Sequence, residues 1–90
     1  MRLVIAAPAN GAILKDALKA HLQNDPRVSS LVDLSSPEGT YPQLSFAAAE
    51  EVAAGRADRA LLICGTGVGT AIAANKVRGI RAATAHDLLT

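Results

Sequence analysis

Residues 59–75, RALLICGTGVGTAIAAN, constrain the fold more than any other stretch of the chain. The apolar run 60–64 reads as a β-strand. A turn follows through Gly65, Thr66, Gly67, Val68 and Gly69, and an alanine-rich helical segment covers 70–76. Glycines at alternate positions let the backbone turn tightly and leave its N–H groups open to a ligand. Where a strand hands over to a helix, those groups sit at the positive end of a macrodipole and favour anions. Cys64, the only cysteine, stands at the expected last strand position. A thiol at a helix N-terminus has a lowered pKa and more thiolate character. Two readings of Cys64 stand side by side: a base or nucleophile beside an oxyanion site, or an inert buried thiol. A dinucleotide fingerprint is disfavoured, because it requires glycine at Thr70 and this is not the first strand–turn of the chain.

The remaining sequence repeats the strand–helix alternation. Residues 3–7 form an apolar, β-branched run suited to a buried parallel strand. Residues 8–11 break it, and 11–24 read as a helix with Ile13, Leu14, Ala17, Leu18 and Leu22 on its apolar face and Asn10 as N-cap. A second strand is expected over 28–34, then a loop of turn formers over 35–40. Tyr41-Pro42 opens a helix running to about Ala54, with Leu44, Ala47, Ala48, Glu51 and Val52 on overlapping faces and Gly55 as its stop. Arg78-Gly79 turns the chain into a fourth expected strand, 80–85, ending at His86-Asp87. This is a parallel α/β pattern in which ligands gather at the carboxyl ends of the strands. That rim collects residues 8–11, 35–41, 64–69 and 86–87.

Composition limits the function. Ninety residues make a single domain with a modest core. With one Phe, one Tyr and no Trp, that core must be built from small and branched aliphatics. A net charge of +1 without basic or acidic runs singles out neither nucleic acid nor a membrane surface. One cysteine excludes an internal disulfide framework and fits a reducing cytoplasm. No segment has the ~20 apolar residues of a membrane span, and no His/Cys/Asp cluster has metal-ligand spacing.

The segment ICGTGVGTAIAANKVRGIRAA, residues 63–83, closely resembles the ribose-5-phosphate isomerase B and galactose-6-phosphate isomerase family. Asp58, Gly11, Leu14-Lys15 and Tyr41-Pro42 also match its pattern. The resemblance implies a three-layer α/β/α Rossmann-like parallel sheet of strand order 2-1-3-(5)-4. It implies aldose–ketose isomerisation of a phosphorylated sugar through an enediolate, with no metal or cofactor. Cys64 would be the base, Thr66 would assist near the sugar oxygens, and N–H groups of Gly65, Gly67, Val68 and Gly69 would hold the oxyanion. Preorganised donors of this kind stabilise such charge by ~3 kcal/mol each. Asn10 and Tyr41 would complete the substrate pocket, in a homodimer or homotetramer whose pockets draw on two subunits.

The departures shape the expected substrate. Pro8-Ala9 stands where the family carries Asp-His, and Thr40 where it carries Asp before Tyr-Pro. Polar contacts are lost, which points away from ribose 5-phosphate and toward a shorter sugar such as a tetrulose phosphate. Family chains also continue past the point matching Thr90, into a segment holding the ring-opening His, its Asn neighbour, the phosphate-binding arginines and the fifth strand. The 90 residues therefore read as one incomplete isomerase domain, with 80–85 lacking its inner neighbour or re-paired on the third strand. The competing reading is a truncated or degenerate relative that binds a phosphorylated metabolite or serves as a non-catalytic subunit. His86 reads as a solvated loop side chain, and His21 as a structural residue near a helix end.

Overall fold

The computed structural model describes residues 1–86. Six regular elements follow one another: β1 (Arg2–Ala6), α1 (Ala12–Gln23), β2 (Ser30–Asp33), α2 (Tyr41–Ala53), β3 (Arg59–Leu62) and α3 (Val68–Asn75). The strands form a parallel sheet in the order β2-β1-β3. In its register Val4 lies beside both Val32 and Ala60.

β1 is central, so both of its faces are covered, and its sequence is correspondingly apolar without alternation. Val4 points to one face, where it packs with Ala48 of α2 and with Ala57; Val52, Ala60 and Leu62 close around them. Ile5 points to the other face and joins Ala7 and Ile63 beneath Leu18 of α1. The result is three layers. α3 lies against α2 on the Val4 side, where the contact is made by small residues, Ala73, Ala74 and Thr70 being buried.

The starts and stops follow local chemistry. Thr40 sits at the N-cap of α2, and its N–H donates to the Gln43 side chain at 3.2 Å. Gly55 follows the end of α2 with φ of +79°, the left-handed conformation that terminates helices. β3 ends at Leu62, so Cys64 lies two residues beyond the strand rather than on its last position.

Two expectations need correction. Asn10 does not cap α1. It belongs to a 3-10 turn over Ala9–Gly11, and Gly11 occupies the N-cap. The inward face of α1 is also rotated: Ile13, Leu14 and Ala17 are exposed, whereas Lys15, Leu18, Lys19 and Leu22 face the body of the protein. On α2, Ala47 is exposed and Ser45 is buried.

The fourth expected strand is the largest departure. Residues 80–86 form no ladder, and β3 has β1 as its only strand partner among the described residues. A cleft of about 830 Å³ separates the outer side of β3 from residues 79–86. With no strand beside it, the segment finds side-chain and turn partners. Asn75 accepts from the Ala82 N–H at 2.7 Å and donates to the Ala82 carbonyl at 2.9 Å, while the Ile80 N–H donates to Val77 at 3.1 Å. Direct pairing of 80–85 on β3 does not occur. Asp87, the last residue of the expected rim, lies outside the described residues together with 88–90.

Candidate active site

The loops after β1, β2 and β3 meet at the carboxyl edge of the sheet, as a parallel α/β arrangement requires. They enclose a pocket of about 480 Å³ lined by Pro8, Asn10, Thr40, Tyr41, Cys64, Gly65, Thr66 and Gly69. The starts of all three helical segments contribute: Asn10 lies in the 3-10 turn leading into α1, Tyr41 opens α2 and Gly69 is the second residue of α3. Asn10, Tyr41, Cys64, Gly65, Thr66 and Gly69 therefore come together as the sequence leads one to expect. Gly67 lines the larger cleft behind the loop. Val68 lines neither cavity and is exposed.

Two close approaches explain the glycine spacing. A Cβ on Gly69 would sit 2.5 Å from Cε1 and 2.8 Å from Cζ of Tyr41, so the phenol ring lies directly over the first turn of α3. Gly67 is the N-cap of α3 with φ of +80°, and a Cβ there would also meet Thr84 Cγ2 at 2.9 Å. Gly67 is the one glycine of this turn that uses the left-handed region.

The turn is wrapped around the sulfur. The Gly67 N–H donates to Cys64 Sγ at 3.0 Å, and the Thr70 hydroxyl lies 3.6 Å from the same atom. Burial pushes the Cys64 thiol up. The Thr70 hydroxyl and the N–H groups of Gly67, Thr70 and Thr66 more than offset this, and the thiol ends below its ordinary value. The Val68 N–H is engaged elsewhere, donating to Thr66 Oγ1 at 3.3 Å. Thus the Gly67 and Val68 amides, both expected at a substrate oxyanion, are already occupied in this arrangement. The Gly67 amide serves Cys64 itself, and the Val68 amide holds the Thr66 hydroxyl.

Thr70 is the residue that sequence reasoning missed. It is buried, it touches the sulfur, and its hydroxyl donates to the Gly67 carbonyl at 2.9 Å. The signal was present as a hydroxyl residue one helical turn into α3, at the place where a dinucleotide motif would have glycine. Thr84 was hidden more deeply, since its partner lies 17 positions away: its hydroxyl donates to the Gly67 carbonyl at 3.2 Å. Of the replaced pair Pro8-Ala9, Pro8 forms part of the pocket wall and brings no polar side-chain group.

The Ribose/Galactose Isomerase family profile matches residues 3–90. The chain belongs to the ribose/galactose isomerase family. Within that family, D-erythrulose-4-phosphate isomerase 2 of Mycolicibacterium smegmatis is 52% identical over 92 residues, covering 98% of this chain and 60% of the relative. Ribose-5-phosphate isomerase B of Escherichia coli is 44% identical over 78 residues, covering 86% of this chain and 52% of the relative. Among solved structures, the type B ribose 5-phosphate isomerase of Leishmania infantum superposes with a TM-score of 0.87 at 30% identity, over 96% of this chain and 58% of that one. The chain thus spans about 60% of the length of the curated relatives it matches. Among the described residues, no group of three or more His, Cys, Asp or Glu side chains is arranged to hold a metal ion, and no helix is long and apolar enough to cross a membrane.

Proposed function

We propose that this chain carries the proton-transfer centre of a cofactor-independent aldose–ketose isomerase acting on a four-carbon sugar phosphate. The observation that carries the reading is the placement of Cys64: a thiol of lowered pKa on the wall of a pocket, with an N–H at 3.0 Å and a hydroxyl at 3.6 Å. A thiolate so held removes the proton from the carbon beside the substrate carbonyl. The electron pair moves onto the carbonyl oxygen, giving an enediolate; the adjacent hydroxyl's proton passes to that oxygen, and the carbon-derived proton returns from the thiol to the former carbonyl carbon as the second carbonyl forms. Gly65, Thr66 and Gly69 line the pocket where that oxygen would lie.

The size of the substrate is inferred from Pro8 and Thr40. Both stand in the wall without a carboxylate or imidazole to hold further hydroxyls. The names of two relatives, D-erythrulose-4-phosphate isomerases of Mycolicibacterium smegmatis and Pectobacterium atrosepticum, support the same choice. In the natural protein, purified and assayed against four-, five- and six-carbon sugar phosphates, D-erythrulose 4-phosphate is expected to give the highest kcat/KM. Cys64→Ala is expected to lower kcat by about 10²–10⁴-fold with the fold retained. Preference for ribose 5-phosphate overturns the substrate, and retained activity of the variant overturns the base.

One observation favours a second reading. No Lys, Arg or His side chain lines the smaller pocket; Arg59, Arg81 and His86 border the larger cleft on the other side of Cys64, Gly65 and Thr66. Either a homodimer or homotetramer, or further chain, supplies cations to the smaller pocket, or the protein binds a phosphorylated metabolite without turning it over. Binding of D-erythrulose 4-phosphate by calorimetry, with no exchange of solvent deuterium into its C–H bonds, would select the binder.

A further inference from the structure

Thr70 holds a single hydroxyl proton and has two acceptors within reach. It donates to the Gly67 carbonyl at 2.9 Å, and it lies 3.6 Å from Cys64 Sγ. While Cys64 is a thiol, the S–H can donate to Thr70 and the Thr70 proton can stay on Gly67. Once Cys64 is a thiolate, the sulfur needs that proton, and the Gly67 carbonyl keeps the Ala71 N–H at 3.1 Å but loses the Thr70 hydroxyl. Thr84 keeps a second donor on that carbonyl, because its hydroxyl donates to it at 3.2 Å. The other side of that peptide is also held, the Val68 N–H donating to Thr66 Oγ1 at 3.3 Å.

We propose that Thr84 is a positioning residue for Cys64: by giving the Gly67 carbonyl a second donor beside the Ala71 N–H, it frees the Thr70 hydroxyl to turn to the sulfur when the sulfur carries charge. Thr84 is not part of the smaller pocket's wall; it lines the larger cleft, which Cys64, Gly65, Thr66 and Thr70 also border. It acts through Gly67, a residue at φ of +80° whose backbone has no side chain of its own to fix it, and its methyl covers that glycine. The role rests on the reading of Cys64 as the base. It also makes the segment 80–86, tied to the rest of the chain by Asn75 and Thr84, part of the proton-transfer apparatus.

The test reads the sulfur directly, in the natural protein. The rate of Cys64 alkylation by iodoacetamide is followed against pH, the labelled peptide being identified by mass. The charged and titratable side chains sharing the cleft are Asp58, Arg59, Arg81 and His86, and Tyr41 is the titratable neighbour on the pocket side. None of these is altered. Thr84→Val is expected to raise the midpoint of Cys64 titration by about half a pH unit, a shift the size of one modest hydrogen bond. Thr84→Ser is expected to keep the original midpoint. Thr70→Val raises the midpoint, and adding Thr84→Val to it is expected to produce no further rise, since Thr84 works through the Thr70 proton. An unchanged midpoint in Thr84→Val, a shifted one in Thr84→Ser, or additive shifts in the double variant each overturn the proposal. Thr84→Ala serves in place of the valine variant if that one does not fold. Because alkylation needs no turnover, an inactive Cys64 that still titrates in this pattern refutes the isomerase reading and leaves the hydrogen-bond relay standing.

Discussion

Gly69 has no side chain because the ring of Tyr41 fills the space that one would need. The pair joins the first turns of α2 and α3 beside Cys64, so its packing sets the width of the pocket. Gly69→Ala forces the ring outward, and overpacking of this kind costs ~1–3 kcal/mol. The expected outcome is a KM for the sugar phosphate raised by about tenfold with kcat less affected, and partial recovery in Gly69→Ala/Tyr41→Ala; steady-state kinetics checks both. At this scale the sequence was informative where the chemistry is local. A strand, a glycine turn and a cysteine within a few residues announce an anion-binding junction. It did not reveal which anion comes first, because the direction of the Gly67 N–H depends on a left-handed backbone and on hydroxyls at Thr70 and Thr84.

The helix α1 shows how an element can be legible in kind and misread in orientation. Its apolar residues suggested a face through Ile13, Leu14 and Ala17, yet the helix turns Lys15 and Lys19 inward with Leu18 and Leu22. The cause is Asp33 at the end of β2, which Lys15 meets at 2.9 Å and Lys19 at 3.2 Å. Long lysine stems cover apolar surface while their ammonium groups reach a charge. The same Asp33 accepts from the Ser35 N–H at 2.9 Å, and Ser35 in turn accepts from the Ala7 N–H at 3.0 Å. Burial opposes the charge on Asp33, but Ser35 and the two lysines outweigh burial and hold its carboxyl well below the usual carboxylate range. A carboxylate with a depressed folded pKa stabilises the fold fully above its unfolded value, 3.8, and that contribution is lost as pH falls through the folded value. Asp33→Asn is therefore expected to lose about 2 kcal/mol at pH 7, with the difference from the parent shrinking below pH 4. Urea unfolding at pH 7 and pH 3 measures both.

For the whole molecule, the parallel alternation was readable because each strand and its covering helix are adjacent in sequence, whereas the order 2-1-3 was implied only by the family resemblance. Residues 80–86 were not, since strand formation there needs a neighbour that local sequence does not contain, and the segment relies on Asn75 and Thr84 instead. The proposed oligomer also belongs to this scale. α3 exposes Val68 and Ile72, one turn apart and each more than half accessible. Ile72→Glu is expected to lower the sedimentation mass of the natural protein toward that of a monomer; an unchanged mass places the subunit contact elsewhere. The pocket itself has a global property. The leading ends of three helical segments converge on it while no cationic side chain forms its wall. Its pull on a dianion then comes from fixed backbone partial charges, which neither gain nor lose protons. Attraction from this source stays constant across the pH range in which lysines and histidines discharge, so the ligand's own second ionisation, together with the Cys64 thiol on the same wall, governs how binding varies with acidity.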